Sequence, residues 1–163
     1  MKTRKICLLG DFAVGKTSLI ARFVTNVFHE RYQTTVGVKI DTKEVSVAGQ
    51  DVKMVIWDLA GSSALSSTSF NYLRGASGYV LVADATRGST FETAKTLHAS
   101  AQKFLGSVPF VVLLNKSDLT MQREIAQSSA TDLCAHGWSA FDTSALSGEN
   151  VERAFLELAG RLQ

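Results

Sequence analysis

Gly10-Asp11-Phe12-Ala13-Val14-Gly15-Lys16-Thr17 reads as G-x-x-x-x-G-K-T. The apolar run Ile6-Cys7-Leu8-Leu9 precedes it, and Ser18-Leu19-Ile20-Ala21-Arg22-Phe23 follows with a helical pattern. That strand–loop–helix context predicts a phosphate-binding loop rather than a chance glycine turn. Glycines let the backbone wrap closely, so the N–H groups from Asp11 through Phe12, Ala13, Val14, Gly15, Lys16, Thr17 and Ser18 are candidates to meet phosphate oxygens. The first turn of the following helix adds unpaired N–H groups and a partial positive charge. Lys16 supplies a full charge to the β- and γ-phosphates, and the Thr17 hydroxyl is a candidate Mg²⁺ ligand.

Working outward, the chain alternates strand and helix patterns. Arg4–Leu9 reads as the first strand and Lys16–Val24 as the first helix. Val38–Val47 alternates apolar and polar, with Val38, Ile40, Val45 and Val47 as the packing candidates. Ala48-Gly49-Gln50 is a turn and Val52–Asp58 alternates again, which together read as a hairpin. Gly78–Ala83 and Phe110–Leu114 are continuous apolar runs, the pattern of parallel strands buried on both faces. Thr90–Leu105 places Phe91, Ala94, Leu97, Ala101 and Phe104 near a 3.6-residue period. Arg123–His136 reads as a further helix, Trp138–Phe141 as a short last strand, and Asn150–Leu162 as a closing helix with Asn150 as its N-cap. The order predicts an α/β three-layer sandwich with one antiparallel strand from the hairpin.

Composition narrows the function classes. The 163 residues suffice for one domain with a sizeable core, and 45% hydrophobic with 20% charged residues is an ordinary globular balance. A net charge of +2, with no basic cluster beyond Lys2, Arg4 and Lys5, argues against a nucleic-acid partner. Of two cysteines, Cys7 falls in the first strand, which suits a reduced, cytoplasmic protein. No run approaches the roughly 18 apolar residues of a membrane span, and no secretory signal is visible. The end at Leu162-Gln163 carries no prenylation cysteine. The expectation is a soluble protein, or one peripheral at a membrane through a tail outside this sequence. His29, His98 and His136 are too scattered for a metal site and read as surface or satisfied side chains.

Four further stretches carry chemistry. Trp57-Asp58-Leu59-Ala60-Gly61 closes the hairpin's second strand. There Asp58 can serve a Mg²⁺ site and Gly61 can bring a backbone N–H to a terminal phosphate, the alternative being a plain strand-ending turn. Asn115-Lys116-Ser117-Asp118 ends the Phe110–Leu114 strand. Asp118 can accept from both the N1–H and the exocyclic amine of guanine, a donor pair that adenine lacks, or it can be a helix N-cap. The Lys116 stem can cover the base plane, and Asn115 can tie loops together. Thr143-Ser144-Ala145 follows the last strand, where a backbone N–H from Ser144 or Ala145 can meet the guanine O6. Thr34-Thr35 lies between the first helix and the second strand, where a hydroxyl can complete a Mg²⁺ shell and release it with the γ-phosphate.

Gly10–Thr17, Thr35-Val36-Gly37, Trp57–Gly61, Tyr72-Leu73-Arg74-Gly75-Ala76, Asn115–Asp118 and Ser144-Ala145 together resemble the Ras-like small GTPases, most closely the Rab-type members. The resemblance covers nearly the whole chain, 1–163, as one G domain. It implies a P-loop NTPase fold of six mostly parallel strands, order 2-3-1-4-5-6 with strand 2 antiparallel, flanked by five helices. It implies GTP or GDP with Mg²⁺ at the carboxyl edge, with Thr17, Thr35 and Asp58 at the metal and Lys16, Thr35, Gly61 and Ser62 at the chemistry. Phe28 matches the family's aromatic against guanine, or is a core contact. Effectors, exchange factors and activating proteins would meet a monomer near residues 30–40 and 60–76, where Tyr72 and Arg74 belong to the switch helix or simply solvate it.

Two departures concern hydrolysis. Ser62 stands where the family's catalytic Gln follows the D-x-x-G glycine, and Ser63 where Glu is common. Serine is too short to orient an attacking water in the same way. Phe12 is bulky where the family has a small residue, and obstructs an arginine finger supplied in trans. Thr34 for a frequent Pro is minor. The expectation is a switch that hydrolyses GTP slowly, or a scaffold held permanently with GTP. A small-molecule kinase is disfavoured, since Asn115–Asp118 would then have no role.

Overall fold

The structure, a computed structural model, describes residues 1–28 and 37–162. Thr34, Thr35, Val36 and His29 therefore lie outside the described residues. Six strands are β1 (Lys2–Gly10), β2 (Val38–Val47), β3 (Gln50–Leu59), β4 (Gly78–Asp84), β5 (Phe110–Asn115) and β6 (Ala140–Asp142). They form one sheet in the order β2-β3-β1-β4-β5-β6. Among the described residues only the β2–β3 pair is antiparallel. Among the described residues five α-helices flank it: α1 (Lys16–Thr25), α2 (Ser67–Leu73), α3 (Ser89–Leu105), α4 (Ser129–Ala135) and α5 (Val151–Arg161).

The central strands are apolar throughout because both sheet faces are covered. Successive side chains of a strand point to opposite faces. Ile6, Leu8, Val80, Val82, Val111 and Leu113 accordingly pack with α1 and α5. Cys7, Leu9, Tyr79, Leu81, Val112 and Leu114 pack with α3. Burial pushes the Cys7 thiol up to about 12 against the pull of Lys5, so it behaves as a small apolar side chain. The hairpin turns through Ala48 at φ 51° and Gly49 at φ 78°, the two positive angles of a tight two-residue turn.

Four readings need correction. Of the four packing candidates on β2 only Ile40 fails to pack, and the even positions lie on the face opposite the odd ones. Val45 and Val47 pack on the α1/α5 core, Val38 on the α3 core, and Ile40 is left 49% exposed. The Arg123–His136 helix is confined to α4. Its first half is captured by tertiary hydrogen bonds, because Glu124 and Ile125 both donate backbone N–H groups to the Ala85 carbonyl, at 2.8 and 2.9 Å. Buried Ile125 pins this stretch, and a 3-10 turn at Thr120–Gln122 precedes it. The last strand starts at Ala140 rather than Trp138, which leaves the ladder to stack edge-on against Phe110. Asn150 occupies the α5 cap position in left-handed geometry but makes no side-chain cap. Its amide donates to the Asp142 carbonyl at 2.8 Å and so ties α5 to β6.

Candidate nucleotide site

The phosphate loop, Asp58–Gly61, Asn115–Asp118 and Ser144-Ala145 fall at the carboxyl edge of the sheet, where β1, β3, β5 and β6 end, the edge at which open α/β sheets bind ligands. The loop after β1 alternates left-handed residues, Ala13 at φ 60° and Gly15 at φ 103°. Such alternation turns successive N–H groups toward one concavity. The carbonyls are held on the other side. Asn115 Nδ2 donates to Val14 O at 3.0 Å, and Lys116 Nζ to Ala13 O at 3.0 Å. Since a trans peptide sets C=O and the next N–H antiparallel, these bonds aim the N–H groups of Val14 and Gly15 away from Asn115 and Lys116. Gly15 is required twice over: by its φ, and because a Cβ would lie 2.3 Å from Asn115 Nδ2.

Lys16 is buried, and its ammonium donates to Gly10 O and Asp11 O, both at 3.1 Å. Burial lowers its pKa to about 8 against the opposing fields of Asp58 and Asp11. A cation in so poorly solvated a position gains most from an incoming phosphate. Asp11 is spent on structure: its carboxylate accepts from Phe12 N–H at 2.7 Å and from the Thr93 hydroxyl of α3 at 3.0 Å. Phe12 itself is 57% exposed.

The Thr17 hydroxyl donates to Asp58 Oδ2 at 2.6 Å, joining α1 to the end of β3. A hydroxyl and a carboxylate side by side are hard oxygen donors that fit Mg²⁺. Among the described residues no cluster of three or more His, Cys, Asp or Glu forms. A cation held by Thr17 and Asp58 would take its other oxygens from phosphate, water and the Thr35 hydroxyl that the resemblance implies. Gly61 sits hard against the phosphate loop, where a Cβ would come within 2.7 to 2.9 Å of Phe12 and Asp11 backbone atoms. The next residue fastens the same approach, Ser62 N–H donating to Gly10 O at 3.1 Å. The Ser62 hydroxyl turns within its own loop and donates to Ala64 O at 2.9 Å.

A cavity of about 310 Å³ opens beside this loop, lined by Ala13, Gly15, Ser18, Phe28, Asn115, Lys116, Asp118, Leu119, Ala145 and Leu146. Of the residues read as base-recognising it gathers Phe28, Asn115, Lys116, Asp118 and Ala145, from three separate stretches of chain, and leaves Ser144 outside its lining. Phe28 lines the cavity and also packs against the α1/α5 core. Asp118 Oδ1 accepts from the Ser144 hydroxyl at 2.8 Å, which fixes the carboxylate at the cavity wall. Asn115 is buried and closes the floor, accepting from the Thr143 hydroxyl at 3.2 Å. Thr17, Asp58 and Gly61 lie outside this cavity, at the phosphate end of the site.

A family profile described as the Ras family matches residues 5–163. The chain belongs to the Ras family. Ras-related protein RABA6a of Arabidopsis thaliana is 38% identical over 160 residues, covering 97% of this chain and 69% of that protein. Ras-related protein Rab-13 of Canis lupus familiaris is 36% identical over 157 residues, covering 95% and 77%. Ras-related protein YPTC6 of Chlamydomonas reinhardtii is 36% identical over 156 residues, covering 94% and 72%. This Rab-related small GTPase is a guanine-nucleotide-binding switch of the class that works through regulators and effectors. Among its described residues no helix is long and apolar enough to cross a membrane.

Several residues of this GTPase site escaped the motif reading. Asp84, at the end of β4, is buried and pairs with Lys116 Nζ at 2.8 Å. Burial pushes its carboxyl up, and Lys116, Thr86 and Arg87 together outweigh burial and hold it below the usual range. Arg22 on α1 donates to Ala145 O at 2.8 Å and Leu146 O at 2.5 Å, holding the base-edge loop. Leu119 and Leu146 add apolar walls. An acid after an apolar strand was the available signal for Asp84. The contacts of Arg22, more than 120 positions away in sequence, left none.

Proposed function

We propose that this single G domain, residues 1–163, binds GTP and GDP with Mg²⁺ at Thr17 and Asp58 and hydrolyses GTP slowly. Lys16 and the N–H groups from Asp11 to Ser18 hold the phosphates. Phe28, Asn115, Lys116, Asp118, Ser144 and Ala145 hold the guanine. Gly61 reports the γ-phosphate, and Thr35, outside the described residues, senses it with a hydroxyl on Mg²⁺. Held by Thr17, Asp58 and Thr35, Mg²⁺ would offset the negative charge of the phosphates. The molecule works as a cytoplasmic monomer, presenting its nucleotide state through residues near 30–40 and 60–76.

The observation that carries slow hydrolysis is at Ser62. Its hydroxyl is short and is committed to Ala64 O at 2.9 Å, inside its own loop. A residue so placed orients no attacking water, and water orientation is the part of the reaction that falls to this position. The test is single-turnover hydrolysis of bound GTP by the wild type and Ser62→Gln. The glutamine variant is expected to be faster by about tenfold or more, ~1.4 kcal/mol of barrier. Equal rates, or an ordinary family rate in the wild type, would overturn the reading.

The exposed Phe12 supports a second reading, a scaffold that stays loaded with GTP. A ring 57% exposed beside the phosphates obstructs a catalytic arginine arriving from a partner. Nucleotide content after purification separates the two: GDP marks a turning switch, GTP a held one.

A further inference from the structure

One carboxylate oxygen in this molecule aims two cations at two successive carbonyls. Asp84 Oδ2 accepts from Arg87 Nε at 3.1 Å and pairs with Lys116 Nζ at 2.8 Å. The other oxygen, Oδ1, is locked by the Thr86 N–H at 2.9 Å and the Thr86 hydroxyl at 2.6 Å. From this fixed point Lys116 donates to Ala13 O at 3.0 Å, and Arg87 Nη2 donates to Phe12 O at 2.6 Å. With Asn115 on Val14 O, three consecutive carbonyls of the phosphate loop are each held by one side chain. Lys116 and Asn115 belong to the base-recognition stretch. Arg87 belongs to no motif and lies in the connection from β4 to α3.

We propose that Arg87 is a positioning residue for nucleotide binding: it fixes the Phe12 peptide so that the Ala13 N–H is presented to the phosphates. The peptide is planar, so holding Phe12 O behind the loop leaves the Ala13 N–H no direction but the opposite one. Ala13 is a non-glycine residue at φ 60°, a conformation that costs free energy and persists only when its surroundings impose it. Arg87 and Lys116 impose it from its two ends, one on each flanking carbonyl. Only a planar fork spans Asp84 Oδ2 and Phe12 O at once, with Nε on the first and Nη2 on the second. The Arg87 side chain is 41% exposed, so its removal leaves no buried hole. Its loss unfastens the loop without dismantling the fold.

This inference rests on the guanine-nucleotide reading, and its test keeps the two apart. Dissociation of a fluorescent GDP analogue is measured with excess Mg²⁺ on the wild type, Arg87→Ala and Arg87→Lys. The ³¹P spectrum of bound GDP is recorded for each. Arg87→Ala is expected to release GDP about three- to tenfold faster, the scale of one charge-assisted hydrogen bond at a partly exposed site. Its β-phosphate resonance is expected to move. Arg87→Lys keeps the charge but not the fork, so most of the acceleration is expected to persist. An Arg87→Ala variant with the wild-type rate and spectrum would overturn the proposal. So would full restoration by Lys, which would make the effect one of charge alone. A wild type that holds no guanine nucleotide would sink the underlying reading and this inference with it. A wild type that holds it, with unchanged variants, would sink the inference alone.

Discussion

Phe155→Ala tests whether α1, which starts at the phosphate loop, is secured by its packing on α5. Phe23 of α1 and Phe155 of α5 stack with centroids 4.3 Å apart and an interplanar angle of 7°. Phe155 is fully buried and Phe23 is 3% exposed, so neither position has solvent to relax into. Truncating a buried phenylalanine costs about 3–5 kcal/mol, combining lost transfer energy with the cavity left behind. Against a whole-domain stability of about 5–15 kcal/mol, that is a large fraction. In a chain of this size each kcal/mol moves Tm by about 2–4 °C, so a fall on the order of 12 °C is expected. Phe23 keeps its other neighbour, the Lys43 ammonium 4.1 Å from its ring centroid, and does not collapse into the gap. The assay is urea unfolding at fixed GDP and Mg²⁺, since bound ligand adds its own stabilisation. Phe155→Leu refills most of the volume and is expected to cost much less. A cycle with Phe23→Ala should return a coupling of about 0.5–1.5 kcal/mol for the ring pair. A cost for Phe155→Ala below about 1.5 kcal/mol would refute the reasoning, because a cavity that cannot relax has no route to so small a value.

Gly61→Ala is expected to bind nucleotide yet fail to bring the 60–62 segment onto the phosphate loop, since its Cβ would meet backbone at 2.7 to 2.9 Å. GTP hydrolysis should drop more than tenfold with GDP affinity changed less than about threefold, ~0.6 kcal/mol; equal losses in both would count against it. His98 gives a pH dependence. The Tyr79 hydroxyl accepts from Gln102 Nε2 at 2.7 Å and lies 2.8 Å from His98 Nδ1, which the network satisfies with a neutral imidazole. Burial lowers the His98 pKa below its ordinary 6.5, so as pH falls through 6.5 the unfolded chain takes up a proton that the folded one does not. Stability is therefore fully present above that pH and declines below it. The urea midpoint should fall between pH 7.5 and 5.5 in the wild type, and that part of the fall should be missing in His98→Gln; identical profiles would refute the assignment.

The phosphate loop, the Asn115–Asp118 stretch at the sheet edge and the buried strands are all legible in the sequence. The reason is that each function is carried by residues adjacent in the chain. Backbone N–H groups that cradle a phosphate come from one short loop, and a strand buried on both faces must be apolar at every step. The Ser62 and Phe12 departures were visible for the same reason, as single positions inside contiguous patterns. Tertiary structure alone decided what depends on distant partners. The helix expected over Arg123–Ser128 yields to two N–H bonds onto Ala85 O, since local propensity is worth tenths of a kcal/mol per residue and a satisfied buried amide is worth more. The exposure of Ile40 follows from alternation and docking together: it lies on the face of β2 opposite Val45 and Val47, the pair that packs on the α1/α5 core. The role of Asp84 and Arg87 is of the same kind. Arg87 reaches a carbonyl 75 positions back in the chain, and only the parallel pairing of β1 with β4 brings the two ends together.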